Sequence, residues 1–528
     1  MRSRRVFALA SVAAFVLLLL EGRNQWFFGD DWGQWSINRF GPELDRPAKF
    51  FFSPHNGHWM SLNRLVFEVA YRATGLRWYV VYLLPVIVFH VMAAWLLRHI
   101  CIRAGVSPWM ATSSAMVFLF LGTGAEVLTW SDAFGYMAGL VLGGWQLVLA
   151  DHDGPLDRRD VMGLALGLVS IASGAAAITM LGAIGLSGLL RGRVRAVAFH
   201  VAPPALAWAI WWIAIGHNDK QDLVDRSSLG DAPSYFYKGV TTSIEAVTLI
   251  SLSALLALLL IGFVVWRAPS WREPKRAPIA ALAAGLPAFW LLVTITRLAE
   301  AVEPAASSRY LYVTAFFILP MLTLAVDELA RNHRPAVRVA TGVFIWAMVL
   351  NAISLDSFAQ FTGGRAYHIK RGVATVLSLP GTSELPPDTR LDDPEGIVKG
   401  GWVAPVGVLR LLHEHGDLPN LPTPTEHERL RWGTPLLVRV TPADRAPTCA
   451  ERTSHVELRF ERAGSVIVSS ERSITIDVTL RSTIDNTSGP RRSFSVPAGT
   501  PSRLAVDLDQ VVADITLSEP AVLCRVPN

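Results

Sequence analysis

Apolar residues in this chain gather in runs of around 20, separated by short polar loops, from the first residues to about position 355. Such a run is long enough to cross the hydrocarbon core of a bilayer as a helix. The pattern predicts about eleven spans, at 6–20, 79–97, 107–128, 133–150, 161–176, 177–190, 196–215, 241–266, 277–298, 310–328 and 336–355. Positive charge orients them. Arg2, Arg4, Arg5, Arg98, Arg103, Arg158, Arg159, Arg191, Arg193, Arg195, Arg267, Arg272, Lys275, Arg276, Arg331, Arg334 and Arg338 all fall on one side if the N-terminus is cytoplasmic. Keeping that rule requires 161–190 to be two short helices joined near Ser173-Gly174. The first run also has the basic start and apolar centre of a signal peptide, but Glu21 and Arg23 follow Leu20 where small residues would mark a cleavage site.

Beyond 355 the periodicity changes. Helical stretches are expected at 357–378 and 403–415, with a turn-rich segment at 379–394 between them. After Pro422-Thr423-Pro424 the apolar positions alternate, which predicts about eight short strands and a β-sandwich. The expected architecture is a polytopic α-helical membrane domain (1–355), an extracytoplasmic connector (356–430) and a C-terminal extracytoplasmic β-sandwich (431–528). Of the three cysteines, Cys449 and Cys524 flank the strand region on the oxidising side, where a disulfide between them is expected.

Composition agrees with this division. The 528 residues are 51% hydrophobic and 17% charged, and the mean hydropathy is +0.36. A soluble chain of this length carries more charge. The net charge of +5 and pI near 9.2 do not point to nucleic acid, because loop arginines obeying the positive-inside rule account for them.

The candidate chemistry lies mostly in the long first outer loop, 21–78. Asp30 and Asp31 stand among Trp26, Phe27, Phe28, Trp32 and Trp35, aromatic residues of the kind that settle at a membrane boundary. Two adjacent, poorly hydrated carboxylates suit a general base or a cation ligand, and they also suit a helix cap. Further on, His55 and His58 could join one of these acids on a metal, hydrogen-bond a phosphate or sugar, or pack the loop. Arg64 follows. Glu126 and Asp132 sit at the outer turn between the third and fourth runs, and Arg309-Tyr310 opens the tenth. An arginine there reaches lipid phosphates or clamps a substrate phosphate.

In order and spacing these residues resemble the polytopic glycosyltransferases of the GT-C fold, the O-mannosyltransferase-like membrane enzymes among them, over roughly 1–355. The acidic pair after the first helix, the stretch from Arg64 to Leu97 with Gly75, Tyr82 and His90, the hairpin from Phe118 to Asp132, and Ser308-Arg309-Tyr310-Leu311-Tyr312 carry the resemblance. Two positions depart from it. Small residues around Ser173-Gly174 stand where relatives often have Lys-Glu, and Ser308 stands where they have Glu.

The resemblance implies sugar transfer from a polyprenyl-phosphate donor to an envelope glycan, lipid or protein, at the outer face of the cytoplasmic membrane and with inversion. Asp30 or Asp31 would serve as base. His55, His58, Arg64, Arg309 and Tyr310 would hold the donor phosphate and sugar, and Glu126 and Asp132 would support them. No cofactor is demanded, although the acidic pair could hold Mg²⁺ or Mn²⁺. A flippase for lipid-linked sugars, or a silent envelope scaffold with a glycan-binding β-domain, are the competing readings. A flippase is expected to show internal repeats and midplane charges.

Overall fold

The computed structural model describes residues 2–32, 47–218, 226–250, 253–267, 273–298, 307–332, 334–391, 403–418, 420–443 and 452–526. Trp35 and Cys449 lie outside the described residues. By internal contacts the chain divides into two units, one drawn from 1–25, 43–74 and 78–362, the other from 26–42, 75–77 and 363–528.

The first unit is helical. It contains α1 (Arg2–Gly22), α2 (Ser61–Thr74), α3 (Tyr79–Arg103), α4 (Pro108–Leu119), α5 (Ala125–Thr129), α6 (Phe134–Ala150), α7 (Arg158–Ile171), α8 (Ala175–Leu190), α9 (Val194–Ala214), α10 (Ala232–Thr248), α11 (Ser253–Arg267), α12 (Ala277–Arg297), α13 (Ser308–Asn332) and most of the span in α14 (Arg334–Ser378). Among the described residues seven helices are long and apolar enough to cross a membrane, or nine if two bent pairs each count as one span. The protein is therefore a multi-pass membrane protein.

Every expected apolar run is helical, with three differences. The run 107–128 bends by 41° between α4 and α5. The run 241–266 is broken between α10 and α11, where Leu249 caps α10 in the left-handed region at φ 55°. The expected helices 336–355 and 357–378 are one continuous 45-residue helix, α14, because no Gly or Pro interrupts residues 351–360. The two-helix reading of 161–190 agrees with the structure: α7 ends at Ile171, α8 begins at Ala175, and Gly174 between them has φ 127°, which only glycine adopts readily.

Much of the core lies along α3 and α13. His90, Leu83, Val86 and Ile87 on α3, and Tyr312, Val313, Ala315, Phe316 and Phe317 on α13, are fully buried. His90 Nε2 donates to the Leu119 carbonyl at 3.0 Å, so its Nδ1 accepts from the Tyr312 hydroxyl at 3.0 Å. This histidine ties three helices together in the core. At α7 the helix start is fixed by a reciprocal cap. Asp157 accepts from the Arg159 N–H and Asp160 accepts from the Asp157 N–H, each at 2.8 Å.

The second unit contains the single turn Asp30–Trp32, the end of α14, α15 (Val406–Glu414), α16 (Glu426–Leu437) and a β-domain. α16 starts with the capping box Thr425/Glu428 and lies against the sheet. Two two-residue strands, β1 (Pro54–His55) and β2 (His58–Trp59), belong to the first unit. The domain's strands are β3 (Val438–Pro442), β4 (Arg452–Phe460), β5 (Gly464–Ser469), β6 (Ile474–Ser482), β7 (Ser488–Val496), β8 (Ser502–Val506) and β9 (Val511–Arg525).

They are hydrogen-bonded in the order β3-β8-β5-β9-β6-β7, with β4 on the other edge of β9. All pairings are antiparallel. β9 pairs along one edge first with β6 and then with β5, so one long strand serves both halves of the sheet. Two of the short strands that the alternation predicts, 512–517 and 521–526, are parts of it. Pro520, which lacks a donor, falls between the residues paired with β6 and those paired with β5. Ile474, Ile476, Val478 and Leu480 alternate onto the buried face as the period of two requires.

Candidate functional site

The polar side chains of the first unit converge where α5, α6, α12 and α13 meet the hairpin β1–β2. That hairpin turns on Asn56 and Gly57, whose φ values of 50° and 75° make the type I′ turn that Asn-Gly favours. His55 and His58 are therefore cross-strand partners. The Asn-Gly pair was the available signal for this hairpin, and reading the two histidines only by their spacing missed it.

Four anchors hold the hairpin. Arg64, 2% exposed, sends Nη1 to the carbonyls of Phe50 at 2.8 Å and Ser53 at 2.5 Å. Burial pulls its guanidinium down to about 10, and the charge of Asp132 partly opposes this. Trp59 stacks on Trp211 at 5.4 Å and donates to Ser61 Oγ. Trp211 Nε1 donates to the Phe52 carbonyl at 2.8 Å. Arg297, at the end of α12, reaches the Asn56 carbonyl at 3.3 Å and His58 Nε2 at 3.4 Å.

The two histidines consequently have different neighbours. His58 Nε2 accepts from Arg297, while His55 has a ligand atom within 4.8 Å of one on Asp132. Asp132 is buried in the turn between α5 and α6, and Asn63 donates to its carbonyl at 3.0 Å.

Beside this group Glu126 receives α13. The Ser308 hydroxyl accepts from the Glu126 N–H at 3.1 Å and donates to the Thr123 carbonyl at 2.7 Å. Arg309 gives its backbone N–H to Glu126 Oε2 at 3.2 Å, and its Nη1 lies 3.5 Å from Oε1. Its guanidinium also lies 5.3 Å from the Tyr310 ring centre. Ser308 thus fills a structural place where the resembling family has an acid, and Glu126 supplies the negative charge from a neighbouring helix. Tyr136 on α6 is within electrostatic reach of Arg309, Tyr310, Arg297 and Glu126. Sequence reading passed over Tyr136 and Arg297. Arg297 looked like any basic residue at a helix end, and only the hairpin contact distinguishes it.

Asp30 and Asp31 open the single turn Asp30–Trp32 in the second unit. Gly29 precedes them with φ 58°, in the left-handed region that favours glycine. Asp31 is 2% exposed, and its Oδ2 accepts from the Phe28 N–H at 3.2 Å. Trp26, Phe27 and Trp32 pack edge to face on one another, with ring centres 5.5 to 6.1 Å apart. Cys524 is buried in β9.

Two crystal structures of ArnT from Cupriavidus metallidurans are similar to this chain. The apo structure aligns over 74% of this chain and 82% of ArnT at 13% identity, with a TM-score of 0.48. The structure bound to undecaprenyl phosphate aligns over 73% and 81% at 13% identity, with a TM-score of 0.44. No family model and no curated protein matches the chain.

Proposed function

We propose that this protein is a membrane glycosyltransferase. In this reading it moves a sugar from a polyprenyl-phosphate donor to an envelope glycan, lipid or protein at the outer face of the cytoplasmic membrane, with its N-terminus inside. The observation that carries the reading is the grouping of Arg297, Arg309, Tyr136 and Glu126 at one end of a bundle of apolar spans. Guanidiniums at the end of membrane helices suit a ligand with a phosphate head and a long apolar tail.

The chemistry follows from the residue types. An acceptor hydroxyl oxygen attacks the anomeric carbon, and the carbon–oxygen bond to the lipid phosphate breaks. The bonding pair leaves on the phosphate oxygen, and direct displacement inverts the centre. Arg309, with Arg297, His55 and His58, carries the growing phosphate charge. The acceptor's proton passes to a carboxylate of the acidic pair. Asp30, the first residue after the sharp turn at Gly29, is the base in this reading, and the Asp31 carboxylate accepts from the Phe28 N–H. The phosphate is already a good leaving group, so no cofactor is required. A divalent cation on the acidic pair belongs to the same proposal.

The test is transfer by full-length protein in liposomes from synthetic polyprenyl-phosphate sugars to envelope extract, followed by phosphorus NMR of the released lipid phosphate. Asp30→Asn is expected to lose ~10²–10⁴-fold in rate and Asp31→Asn less. Arg309→Ala should raise the donor KM. Full activity in both Asn variants would show the acidic pair to be structural. Donor that crosses the bilayer with its sugar–phosphate bond intact would make the protein a transporter instead.

A further inference from the structure

A groove of about 480 Å³ lies in the first unit between α11, α13 and α14. Its volume falls within the ~300–1,000 Å³ typical of small-molecule sites. Only Thr248 and Ser253 bring polar side chains to it, and their hydroxyls bond to each other at 2.7 Å. Every other lining residue is apolar, so the part of an occupant that lies here is hydrocarbon. On its walls Leu256 of α11 is 64% exposed and Val339 of α14 67%, so the groove opens sideways, towards the lipid.

The two ends of the groove differ. Leu329 and Ala336 line one end, each two residues from an arginine, Arg331 and Arg338. Arg331 is 22 residues beyond Arg309 on α13, about 33 Å at 1.5 Å per residue, so this end lies across the bundle from the candidate site. Val117, Val247 and Ala347 line the other end. From Ala336 to Ala347 the groove runs about 16 Å along α14. That is half of a ~30 Å hydrocarbon core, the share of one leaflet.

Beyond Ala347 the helices close. Asn351 donates to the carbonyls of Ala347 at 2.9 Å and Val247 at 3.4 Å, and accepts from the Thr123 N–H at 3.2 Å. A Cβ on Gly122 would stand 1.9 Å from the Asn351 carbonyl oxygen. Ser308, next to Arg309, donates to the Thr123 carbonyl on the far side of this joint. A tail whose head lies at Arg309 thus meets close-packed backbone before the groove, whereas a chain from the opposite leaflet has the matching depth and length.

Charge selects the head group. Asp327 holds Arg331 at 2.7 Å and Glu328 holds Arg276 at 2.6 Å. Arg338 is exposed and has no acidic partner among the described residues. An uncompensated cation beside an apolar groove between spans complements an anionic lipid head.

We propose that this groove seats one acyl chain of an anionic phospholipid, whose head group meets Arg338 at the turn between α13 and α14. The leaflet is the cytoplasmic one in the orientation proposed above, and only that assignment rests on the functional reading.

The experiment places full-length protein in nanodiscs of phosphatidylcholine with phosphatidylglycerol that carries a photoreactive group within one acyl chain. Labelled peptides are then mapped by mass spectrometry. Nanodiscs present both leaflets alike, so the result depends neither on sugar transfer nor on which face is cytoplasmic. Label is expected in 319–329 and 336–347, and unlabelled phosphatidylglycerol should displace it about fivefold better than added phosphatidylcholine of the same chains. Arg338→Gln should erase that preference, and Ala340→Trp should fill the groove and remove the label from both segments. If Ala340→Trp fails to fold, Arg338→Gln, at an exposed position, decides. Uniform labelling of lipid-facing helices, or equal displacement by the two phospholipids, overturns the proposal. Displacement by long-chain polyprenyl phosphate and not by phosphatidylglycerol overturns it as well, by giving the groove to a prenyl tail.

Discussion

Arg64→Met tests what holds the β1–β2 hairpin in place. The guanidinium is buried and spends Nη1 on the carbonyls of Phe50 and Ser53. Charge-assisted hydrogen bonds contribute about 1.5–3 kcal/mol each, so the two together contribute about 5. Burial of the charge opposes them. The downward pull on the guanidinium, to about 10, amounts to about 3 kcal/mol against the charged form. Methionine keeps the apolar stem and removes both effects, leaving a net loss of about 2 kcal/mol in hairpin stability. Backbone amides in 50–60 should then exchange with deuterium about thirtyfold faster if they exchange by local opening, because each 1.4 kcal/mol is tenfold. Mass spectrometry of peptides from full-length protein in detergent measures this directly. Unchanged exchange in this segment would refute the anchoring role. If Arg64→Met instead abolished donor binding with the hairpin still protected, Arg64 would be a donor ligand, as sequence reading first suggested.

Three further outcomes are expected. At Gly122 a Cβ would stand 1.9 Å from the Asn351 carbonyl oxygen and 2.6 Å from the Leu355 nitrogen, so Gly122→Ala should cost ~3 kcal/mol or more and lower the melting temperature; an unchanged melt contradicts that close packing. Partial burial pushes the Glu428 carboxyl up, but hydrogen bonds from Arg371 and Thr425 outweigh it and hold it below its ordinary value. Its stabilising contribution is therefore complete above the unfolded value near 4.5 and lost as pH falls below it. Glu428→Gln should flatten the acid limb of the stability profile, and an unaltered limb would count against the pair. Finally, non-reducing peptide mapping should find Cys449 joined to Cys524, a link contributing ~4 kcal/mol in the chain-entropy model. Two free thiols in protein prepared without reductant would rule the pairing out.

Apolar periodicity located the long apolar helices, because twenty apolar residues in a row have few other uses, but not the helix α2 within the first outer loop. Helix ends and joints were less legible. The break after Thr248 carries no Gly or Pro, and Leu249 takes a left-handed φ that nothing in its neighbours announces. The union of 336–355 with 357–378 hides for the converse reason: Asp356 and Ser357 look like a loop, yet neither stops a helix. In the β-domain, Pro520 invited a division of β9 into two strands, and only the pairing shows one strand changing partners there. Around the candidate site, residue types pointed to Glu126 and Arg309, whose contact required the fold to be seen. The anchoring function of Arg64 and the place of Arg297 depend on where the hairpin lies, a long-range fact that local pattern does not hold.

The position of β9 in chain order has a consequence for biogenesis. It is the last of the seven strands to leave the ribosome, and β4, β5 and β6 all pair with it. Before it arrives, β4 has none of its native sheet partners, and the two remaining ladders, β3-β8-β5 and β6-β7, each expose an open edge. Native closure of the sheet therefore waits for the end of synthesis and is dominated by contacts of long sequence separation, and such topologies fold slowly. During that interval the exposed edges are templates for pairing with other chains. The interval during which those edges stand open is set by the order of the strands in the chain.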